Sequence, residues 1–414
     1  MRRISLIMVG LLAMAALFAN GCKLWEKDVI VLAQGKPEID GQLKAYAAAW
    51  AEENGVEVVI KSCGGGNCDL GQQLKADYAA GEMPDIFAIN GLEDYLEWQA
   101  IAADLSDEAW VDETDVAFVH NGKTFGFPVS IEGWGMAYNA DILAEAGVDP
   151  KSLVNLSGYR EAFAKIDSMK EQLGLDSVVS MAAGTEMFWV TAHHNFNSLL
   201  SNGLQYGDTS VVDQLLAGQV DSKRLSEYVD WVELLFQYAD KAILTTGNYD
   251  AQVGAFATGK AAFLHQGNWT DPNMADANAN FEMAFAPHGS MEAVTDGIFV
   301  SAPSFYLVNV ESANSELAKK FLVDLATTSA GANYIVKEAK MIPAFTNITL
   351  NPDGQLSSSV QDWMSQGKVY SWNQYLFSGE FRDKTLAPIY NQFANDQIDK
   401  ARFIQLLTEA FQDR

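Results

Sequence analysis

An alternation of apolar strands with amphipathic helices near the start of the chain most limits the folds open to it. Apolar runs at 28–34, 56–60 and 86–89 have the length and composition of buried strands. Helical patterns separate them, and Asp40 and Asp69 stand where helix N-caps are expected. Strands that alternate with helices in this order form a parallel sheet with helices on its faces. The sequence therefore predicts an α/β fold.

Polar residues follow the predicted strands and are candidates for ligand binding. Ligands of open α/β sheets sit outside the carboxyl ends of the strands. The residues at this edge are Gln34, Lys36, the 63–68 loop, Asn90 and Glu93. For each of them, the alternative interpretation is a solvated loop residue.

The stretch 121–147 joins a strand pattern to a helix through a connector that contains glycines. Pro128 lacks a backbone N–H, which excludes an ordinary central strand. Glu132 and Trp134 stand on the connector, and Asn139 is placed to cap the helix that follows. Two interpretations stay open. One is a strand-turn-helix junction with Glu132 in solvent and Trp134 in the core; the other is a hinge strand that carries a ligand-contacting carboxylate.

The length and charge of the chain narrow its organisation and its partners. A chain of 414 residues exceeds the size at which single hydrophobic cores usually stop growing, which predicts two domains. The net charge of −27, from 27 Lys and Arg against 54 Asp and Glu, argues against nucleic acid as a partner, because phosphate contacts need clustered basic residues. The five histidines are scattered along the sequence, so we predict no metal site and no cofactor.

The N-terminus has the organisation of an export signal. Arg2 and Arg3 precede an apolar run at 4–19, which is short for a membrane span. The following Ala-Asn-Gly-Cys resembles a bacterial lipoprotein signal, with Cys22 as the lipidated residue. We therefore expect a signal peptide at 1–21 and a lipidated tether at 22–27. The mature protein is expected to be exported and anchored to the outer face of the cytoplasmic membrane, or to lie in the periplasm; an ordinary signal peptide and an uncleaved anchor are the alternatives.

The remaining two cysteines lie close together in the sequence. Cys63 and Cys68 stand in SCGGGNCD, and in an oxidising compartment such a pair predicts a disulfide. The glycines between them allow the tight turn that the bond requires. Two free thiols and a metal site are the alternatives, although a metal needs more ligands than this pair supplies.

A later segment presents an indole outside any apolar stripe. The segment 259–269, GKAAFLHQGNW, predicts a short strand followed by a loop with Gln266, Asn268 and Trp269. Trp269 stands among Gly, Asn and Asp residues, so it is a candidate for an exposed indole.

Five segments in order make the chain resemble a known family. The chain is similar to family 1 extracellular solute-binding proteins, the sugar-binding lipoproteins of bacterial ABC importers, a group that includes maltose-binding protein. The segments that carry the resemblance are LKADYAAGEMPDIFAIN at 74–90, ADLSD at 103–107, GKTFGFPVSIEGWGMAYNADILAEAG at 122–147, GKAAFLHQGNW at 259–269 and NSELAKKFLVDLA at 314–326.

The resemblance implies a two-lobed periplasmic-binding-protein fold of the class II type, in which two α/β lobes close on a ligand by hinge motion. Lobe 1 is expected to hold 28–131 and 303–343, and lobe 2 to hold 132–302 and 344–414 with the C-terminal helices. The three crossovers between the lobes are expected near 129–133, 302–306 and 342–345.

The resemblance also implies how a sugar is held. A pyranose has apolar C–H faces that pack on aromatic rings, and its hydroxyls need paired donors and acceptors. Trp269 matches the stacking aromatic residue, Glu132 a carboxylate at the first crossover and Trp189 an aromatic residue of the second lobe, with core packing as the alternative for each aromatic. The predicted ligand-binding residues are Gln34, Lys36, Asn90, Glu93, Glu132, Trp189, His193, Gln266, Asn268, Trp269, Asp296, Trp372 and Phe381.

The partners that the resemblance implies are a small carbohydrate, the membrane permease subunits of an ABC transporter and the membrane itself through the lipid anchor. A monomer is expected. Alternatives are a binding protein for a polyamine, iron or a phosphorylated compound, and a surface adhesin.

A secreted carbohydrate enzyme is the competing class. Glycoside hydrolysis needs two carboxylates that flank the scissile bond, and Glu132 with Glu186 or Asp296 could supply them. Nothing in the sequence supports that pairing, and the G-x-S-x-G, H-E-x-x-H and P-loop motifs are absent. We therefore predict a binding protein without catalytic residues.

Overall fold

The computed structural model describes residues 28–64 and 68–413. The predicted signal peptide, the tether and Cys22 lie outside the described residues. The strands are β1 (Val29–Gln34), β2 (Glu57–Ser62), β3 (Ile86–Ile89), β4 (Phe118–His120), β5 (Lys123–Pro128), β6 (Glu132–Trp134), β7 (Met136–Asn139), β8 (Ser177–Ser180), β9 (Ala261–Leu264), β10 (Met283–Ala286), β11 (Ile298–Ser301), β12 (Phe305–Val308) and β13 (Val369–Tyr370).

Helices fill most of the chain between these strands. They are α1 (Asp40–Asn54), α2 (Leu70–Ala80), α3 (Leu92–Trp98), α4 (Ala140–Ala146), α5 (Leu156–Ser168), α6 (Phe196–Ser201), α7 (Ser210–Leu216), α8 (Ser222–Gln237), α9 (Lys241–Thr246), α10 (Tyr249–Ala257), α11 (Asp271–Asp276), α12 (Ser315–Thr327), α13 (Ser329–Asn333), α14 (Gln355–Ser365), α15 (Ala387–Ala394) and α16 (Lys400–Gln412). Wider π-helical turns occur at Val190–Asn195, Tyr334–Glu338 and Phe381–Leu386.

The first three strands pair as the sequence predicts. The larger sheet has the order β2-β1-β3-β12-β5-β4, and β1 runs parallel to both β2 and β3. β12 inserts antiparallel between β3 and β5. Pro128, the last residue of β5, lies opposite Phe305 of β12. The α/β class is therefore confirmed, with a mixed rather than a purely parallel sheet.

Side-chain caps begin several helices. Asp69 accepts a hydrogen bond from the backbone N–H of Gln72 at 3.1 Å, and Asn139 caps α4 in the same way. The expectation for Asp40 is wrong, because Asp40 is the first residue of α1 and no side chain caps that helix. Its carboxylate instead accepts a hydrogen bond from Ser62 Oγ at 2.6 Å and fixes α1 against the end of β2.

Two smaller sheets are built from strands at 132–301 and 369–370. Their orders are β10-β7-β9-β8 and β13-β11-β6. Trp134, at the end of β6, is fully buried in the cluster of apolar side chains beneath these sheets. The buried Trp134 agrees with the strand-turn-helix interpretation. That interpretation also placed Glu132 in solvent, whereas Glu132 is buried.

The chain passes three times between the larger sheet and the smaller ones. It leaves after β5, returns between β11 and β12, and leaves again after the turn at Tyr334–Glu338. Hydrogen bonds of 3.0 Å join these passages side by side, from Val129 N to Ser304 O and from Ile131 N to Ile342 O. The arrangement is consistent with the two lobes and three crossovers that the resemblance implies.

Separate hydrophobic clusters support the larger sheet and the smaller ones. Ile86, Phe127 and Phe321 belong to a cluster under the larger sheet. Ala344 and Phe345 belong to the same cluster, so the chain still packs on the larger sheet where lobe 2 was expected to resume. The cluster under the smaller sheets is built on different buried residues, most of them at 134–300 and the rest at 342–394. Among the helices of the described residues, none is long and apolar enough to cross a membrane.

Candidate ligand-binding cleft

A cleft of about 960 Å³ opens between the larger sheet and the part of the chain that carries the smaller sheets. Its first wall comes from the segments that follow β1, β2 and β3, which is the edge where parallel strands place ligands. Its second wall comes from Glu132 and from residues of the helical region. The second wall includes Phe188, Trp189, His193, His194, Tyr249, Trp269, Tyr375, Arg382 and Asp383.

Gln34 shapes the first wall from beneath. Its side chain is 1% exposed, and its Nε2 donates to Lys36 O at 2.9 Å and to Ser62 Oγ at 2.6 Å. The amide therefore holds the turn after β1 against the end of β2. Because these bonds use its donors, Gln34 supports the cleft wall but does not form part of it.

Lys36 links the two walls through a buried group of three charges. Its ammonium lies 2.6 Å from Glu132 Oε1 and 2.7 Å from Glu38 Oε1. Burial alone would lower the pKa of Lys36, but the two carboxylates outweigh burial and raise the pKa above its usual value. Lys36 thus remains charged, and Glu132 meets the cleft as one half of an ion pair.

His193 is held between two charged residues on the opposite wall. Its Nε2 lies 2.6 Å from Asp383 Oδ1, and Arg382 lies 2.9 Å from its Nδ1. Burial and then the Arg382 charge lower the pKa of His193 to about 4, in spite of Asp383. The neutral ring therefore donates from Nε2 to Asp383 and accepts at Nδ1 from Arg382.

Tyr375 brings the two walls into contact. The Arg382 guanidinium stacks over its ring at 4.9 Å, an arrangement typical of cation–π pairs. On the facing wall, Gly91 has a φ of 88° just before α3, and a Cβ there would lie 3.2 Å from Tyr375 Cβ. Glycine therefore serves both the backbone conformation and the close approach of the walls.

Trp269 lies in the cleft wall and is fixed by its neighbours. Its Nε1 donates to Gln266 Oε1 at 3.0 Å, and Gln266 in turn donates to Gln252 at 2.9 Å. The ring is 8% exposed. Asn268 lies behind it, where its Oδ1 accepts from Gly133 N at 2.8 Å and its Nδ2 donates to Ser357 Oγ at 3.1 Å. Gln266 and Asn268 therefore position the indole and the first crossover.

The structure brings about half of the predicted residues together. Those that line the cleft are Lys36, Asn90, Glu93, Glu132, Trp189, His193 and Trp269. Those that it places elsewhere among the described residues are Gln34, Gln266, Asn268, Asp296, Trp372 and Phe381.

The last three of these are displaced for different reasons. Asp296 has an exposed side chain 3.6 Å from Lys368, away from the cleft. Trp372 is 7% exposed and packs edge-on against Trp134 and Trp269. Phe381 packs in the hydrophobic cluster of the C-terminal helices.

Several cleft residues escaped the sequence reasoning. Arg382, Asp383 and Tyr375 lie within or beside the aromatic C-terminal stretch, but the pattern pointed to its neighbours Trp372 and Phe381. His193 and His194 stand on one π-helical turn, and Arg382 and Asp383 on another. Such turns are frequent at functional sites, and they have no sequence signature that would have revealed them.

The two cysteines form part of the first wall. The structure has a disulfide between Cys63 and Cys68, with Cα atoms 5.1 Å apart, and both residues line the cleft. Within the described part of the chain, no group of His, Cys, Asp and Glu is arranged to hold a metal ion. The cleft offers aromatic faces, hydrogen-bonding groups and fixed charges, which suit non-covalent capture of a polar organic molecule.

The chain has sequence relatives among sugar-binding proteins. The chain is 24% identical over 335 residues, 77% of its length, to the maltooligosaccharide ABC transporter solute-binding lipoprotein of Streptococcus pneumoniae, of which the match covers 73%. It is 22% identical over 330 residues to the melibiose/raffinose/stachyose-binding protein MelE of Bacillus subtilis, covering 75% of this chain and 72% of the relative.

A solved structure shares the fold. The solute-binding protein RafE in complex with raffinose superposes with a TM-score of 0.75 at 16% identity, covering 93% of this chain and 99% of RafE. The sequence model for bacterial extracellular solute-binding proteins matches residues 45–363, which is most of the chain. The chain therefore belongs to the family of bacterial extracellular solute-binding proteins.

Proposed function

We propose that this protein captures an oligosaccharide in the cleft and delivers it to the permease of an ABC transporter. Members of its family bind solutes outside the cell, and the relatives include lipoproteins. With the signal-like N-terminus, this supports an exported, lipid-anchored protein, and we propose that it acts as a monomer. The named relatives bind maltooligosaccharide or melibiose, raffinose and stachyose.

The composition of the cleft carries the proposal. Phe188, Trp189, Tyr249, Trp269 and Tyr375 contribute aromatic rings to a single wall. The facing wall contributes amide, carboxylate and ammonium groups on the loops after the first three strands. Aromatic rings opposite planar polar groups match a sugar, whose ring faces carry apolar C–H groups and whose hydroxyls both donate and accept.

The size of the cleft favours an oligosaccharide over a single sugar. Its volume of about 960 Å³ is near the upper end of the roughly 300–1,000 Å³ found for pockets that hold drug-sized ligands. A monosaccharide would leave much of that space to water. The five aromatic rings of the second wall can meet more than one sugar ring.

Capture is proposed to work by hinge motion and without chemistry. Lobe 1 (28–131 and 303–343) would close on lobe 2 (132–302 and 344–414) at the three crossovers, as in other hinge proteins. A hydrolytic role finds little support, because the Glu132 carboxylate is engaged by Lys36 and Asp296 lies outside the cleft. Glu186, the other possible partner of Glu132, does line the cleft, but it leaves the pair without a second free carboxylate as long as Glu132 is held by Lys36. Glycoside hydrolysis needs two carboxylates free to flank one bond.

A thermal-shift screen of the domain that starts after Cys22 tests the proposal. A ligand that binds only the folded state raises the midpoint in a concentration-dependent way. We expect one series of oligosaccharides to raise the unfolding midpoint. The monosaccharide from which that series is built should raise the midpoint less. Stabilisation by polyamines, iron or phosphorylated compounds, with none by any carbohydrate, would overturn the sugar assignment. Release of free sugar from a bound oligosaccharide would overturn the assignment as a binding protein.

A further inference from the structure

His194 occupies an unusual place in the second wall of the cleft. It is 7% exposed and lines the cleft next to His193. Four indoles surround it, with ring centroids 4.9 Å away for Trp269, 5.3 Å for Trp189 and 5.5 Å for both Trp134 and Trp372. The ring therefore stands beside the indoles that a sugar would meet.

One ring nitrogen of His194, Nδ1, is buried without a hydrogen-bond partner among the described residues. His193, one residue earlier, contrasts with it, because both of its ring nitrogens are engaged by Asp383 and Arg382. Leaving a buried polar atom without a partner costs about 1–3 kcal/mol, so a histidine here carries a cost that its packing among indoles does not require.

The ring of His194 is uncharged at neutral pH. Burial lowers the pKa of His194 well below the usual value, and the charges of Lys36 and Arg382 act in the same direction, as does any charge on His193 or His265. A neutral imidazole has one donor and one acceptor. A hydroxyl group can donate or accept, so it can pair with either nitrogen, whereas a carboxylate pairs only with the nitrogen that donates and an ammonium only with the one that accepts.

We propose that His194 contacts the ligand and selects a sugar hydroxyl at the position that it faces. The inference rests on the proposed function, because it takes the cleft to be the sugar site. Because Nδ1 is buried, a hydroxyl in the cleft would pair with Nε2, and an analogue with hydrogen in place of that hydroxyl would leave that nitrogen unpaired. Such a loss is larger than the loss of one apolar contact.

His288 provides a matched comparison. It is fully buried, both of its ring nitrogens lack partners among the described residues, and it packs against Trp134 with ring centroids 4.7 Å apart. It does not line the cleft. A change at His288 therefore repeats the chemistry of a change at His194 without reaching the ligand.

The test compares His194→Phe, His194→Gln and His288→Phe by titration calorimetry with the best oligosaccharide and its set of monodeoxy analogues. We expect His194→Phe to weaken binding on the order of tenfold or more, His194→Gln to weaken it less, and His288→Phe to bind as the wild type does. Removal of one particular hydroxyl from the ligand should weaken its binding to the wild type. Removal of the same hydroxyl should not weaken binding to His194→Phe any further, since both changes remove the same hydrogen bond.

Two results would overturn the inference, and they are distinguishable. If the wild type and His194→Phe bind the oligosaccharide and each of its deoxy analogues equally tightly, His194 is a packing residue and only its assignment fails. If the wild type binds no oligosaccharide, the proposed function fails and the inference fails with it. If circular dichroism shows that His194→Phe does not fold, the affinities for the deoxy series are measured with His194→Gln instead, because glutamine keeps a donor and an acceptor.

Discussion

Lys36 and Glu132 form an ion pair of 2.6 Å that joins the first wall of the cleft to the first crossover. Lys36 follows β1 of the larger sheet, whereas Glu132 begins β6 of a smaller one. Their side chains are only 13% and 8% exposed, so water screens the pair weakly. The contact therefore ties together two parts of the chain that the proposed hinge motion would move.

Lys36→Met tests the weight of this pair. Methionine keeps the apolar stem but removes the cation, which leaves the Glu132 and Glu38 carboxylates close together without compensation. Breaking a buried pair in this way costs about 3–5 kcal/mol, and we expect a loss toward the lower end because the site borders the cleft. Urea unfolding measures it.

Lys44→Met is the matched control for Lys36→Met. Lys44 pairs with Asp40 at 2.8 Å on the surface of α1, where its side chain is 55% exposed. An exposed pair contributes about 0–1 kcal/mol. Equal losses for the two variants would show that the Lys36 pair is no stronger than a surface contact.

Trp269→Ala is expected to weaken oligosaccharide binding by about 2–4 kcal/mol, the range of aromatic anchors at the centre of a binding site. Titration calorimetry gives the affinity and thermal unfolding the stability. Trp363→Ala is the control, since Trp363 is a partly buried indole on α14 that donates to Phe285 O at 3.1 Å and does not line the cleft. Lost affinity in both variants, together with a large drop in the unfolding temperature, would assign Trp269 to the core.

Replacing Cys63 and Cys68 together with serine tests the role of the disulfide. A loop this short gains only about 2 kcal/mol from the constraint on the unfolded chain. Both residues line the cleft, so we expect a loss of oligosaccharide affinity as well, because the loosened loop must be ordered when the ligand binds. Wild-type protein treated with a reductant should show the same two changes. Unchanged affinity with lowered stability would mean that the loop does not touch the ligand.

Asp271 caps α14 from a distant part of the chain, and its removal should lower stability. Its two carboxylate oxygens accept from Leu356 N at 3.1 Å and Ser357 N at 2.7 Å, and the residue is 3% exposed. Asp271→Asn keeps one acceptor and presents an amide to the other N–H, for which we expect a loss of about 1–2 kcal/mol in urea unfolding. Asp276→Asn, at the exposed end of α11, is the control and should change little.

The features that the sequence predicted are local in the chain. The strands at 28–34 and 86–89, the caps at Asp69 and Asn139, and the disulfide pairing of Cys63 depend on residues within a few positions of each other, so short patterns reveal them. The first wall of the cleft is built from such segments. Of the residues proposed from these segments, Lys36, Asn90 and Glu93 line the cleft, whereas Gln34 lies beneath its wall.

The second wall depends on contacts between distant segments. His193 meets Arg382 and Asp383 across 189 and 190 positions of the sequence. Tyr375 and Trp372 lie three positions apart, yet tertiary packing turns the first toward the cleft and the second into the core. No local sequence pattern distinguishes the cleft residue from the core residue here, because both are aromatic residues of the same loop.

Acid should destabilise the protein through the buried histidines, and His265 allows this to be measured. It is fully buried, both of its ring nitrogens lack partners among the described residues, and burial lowers its pKa to about 4. The unfolded chain takes up a proton near the ordinary pKa of about 6.5. Between these values the unfolded state binds more protons than the native state, so the free energy of unfolding falls as the pH drops from about 6.5 toward 4, by up to about 1.4 kcal/mol per pH unit.

His265→Phe removes this proton uptake and keeps a ring of similar shape against Trp134. Carboxylates and the other buried histidines titrate in both proteins. The difference between the two proteins in how the free energy of unfolding changes with pH therefore isolates His265. Urea unfolding at about pH 7 and at about pH 5 should therefore show a smaller loss for His265→Phe than for the wild type. Equal losses would mean that His265 is already protonated in the native state or gains a proton without cost, and the burial of a neutral ring at this position would then be wrong.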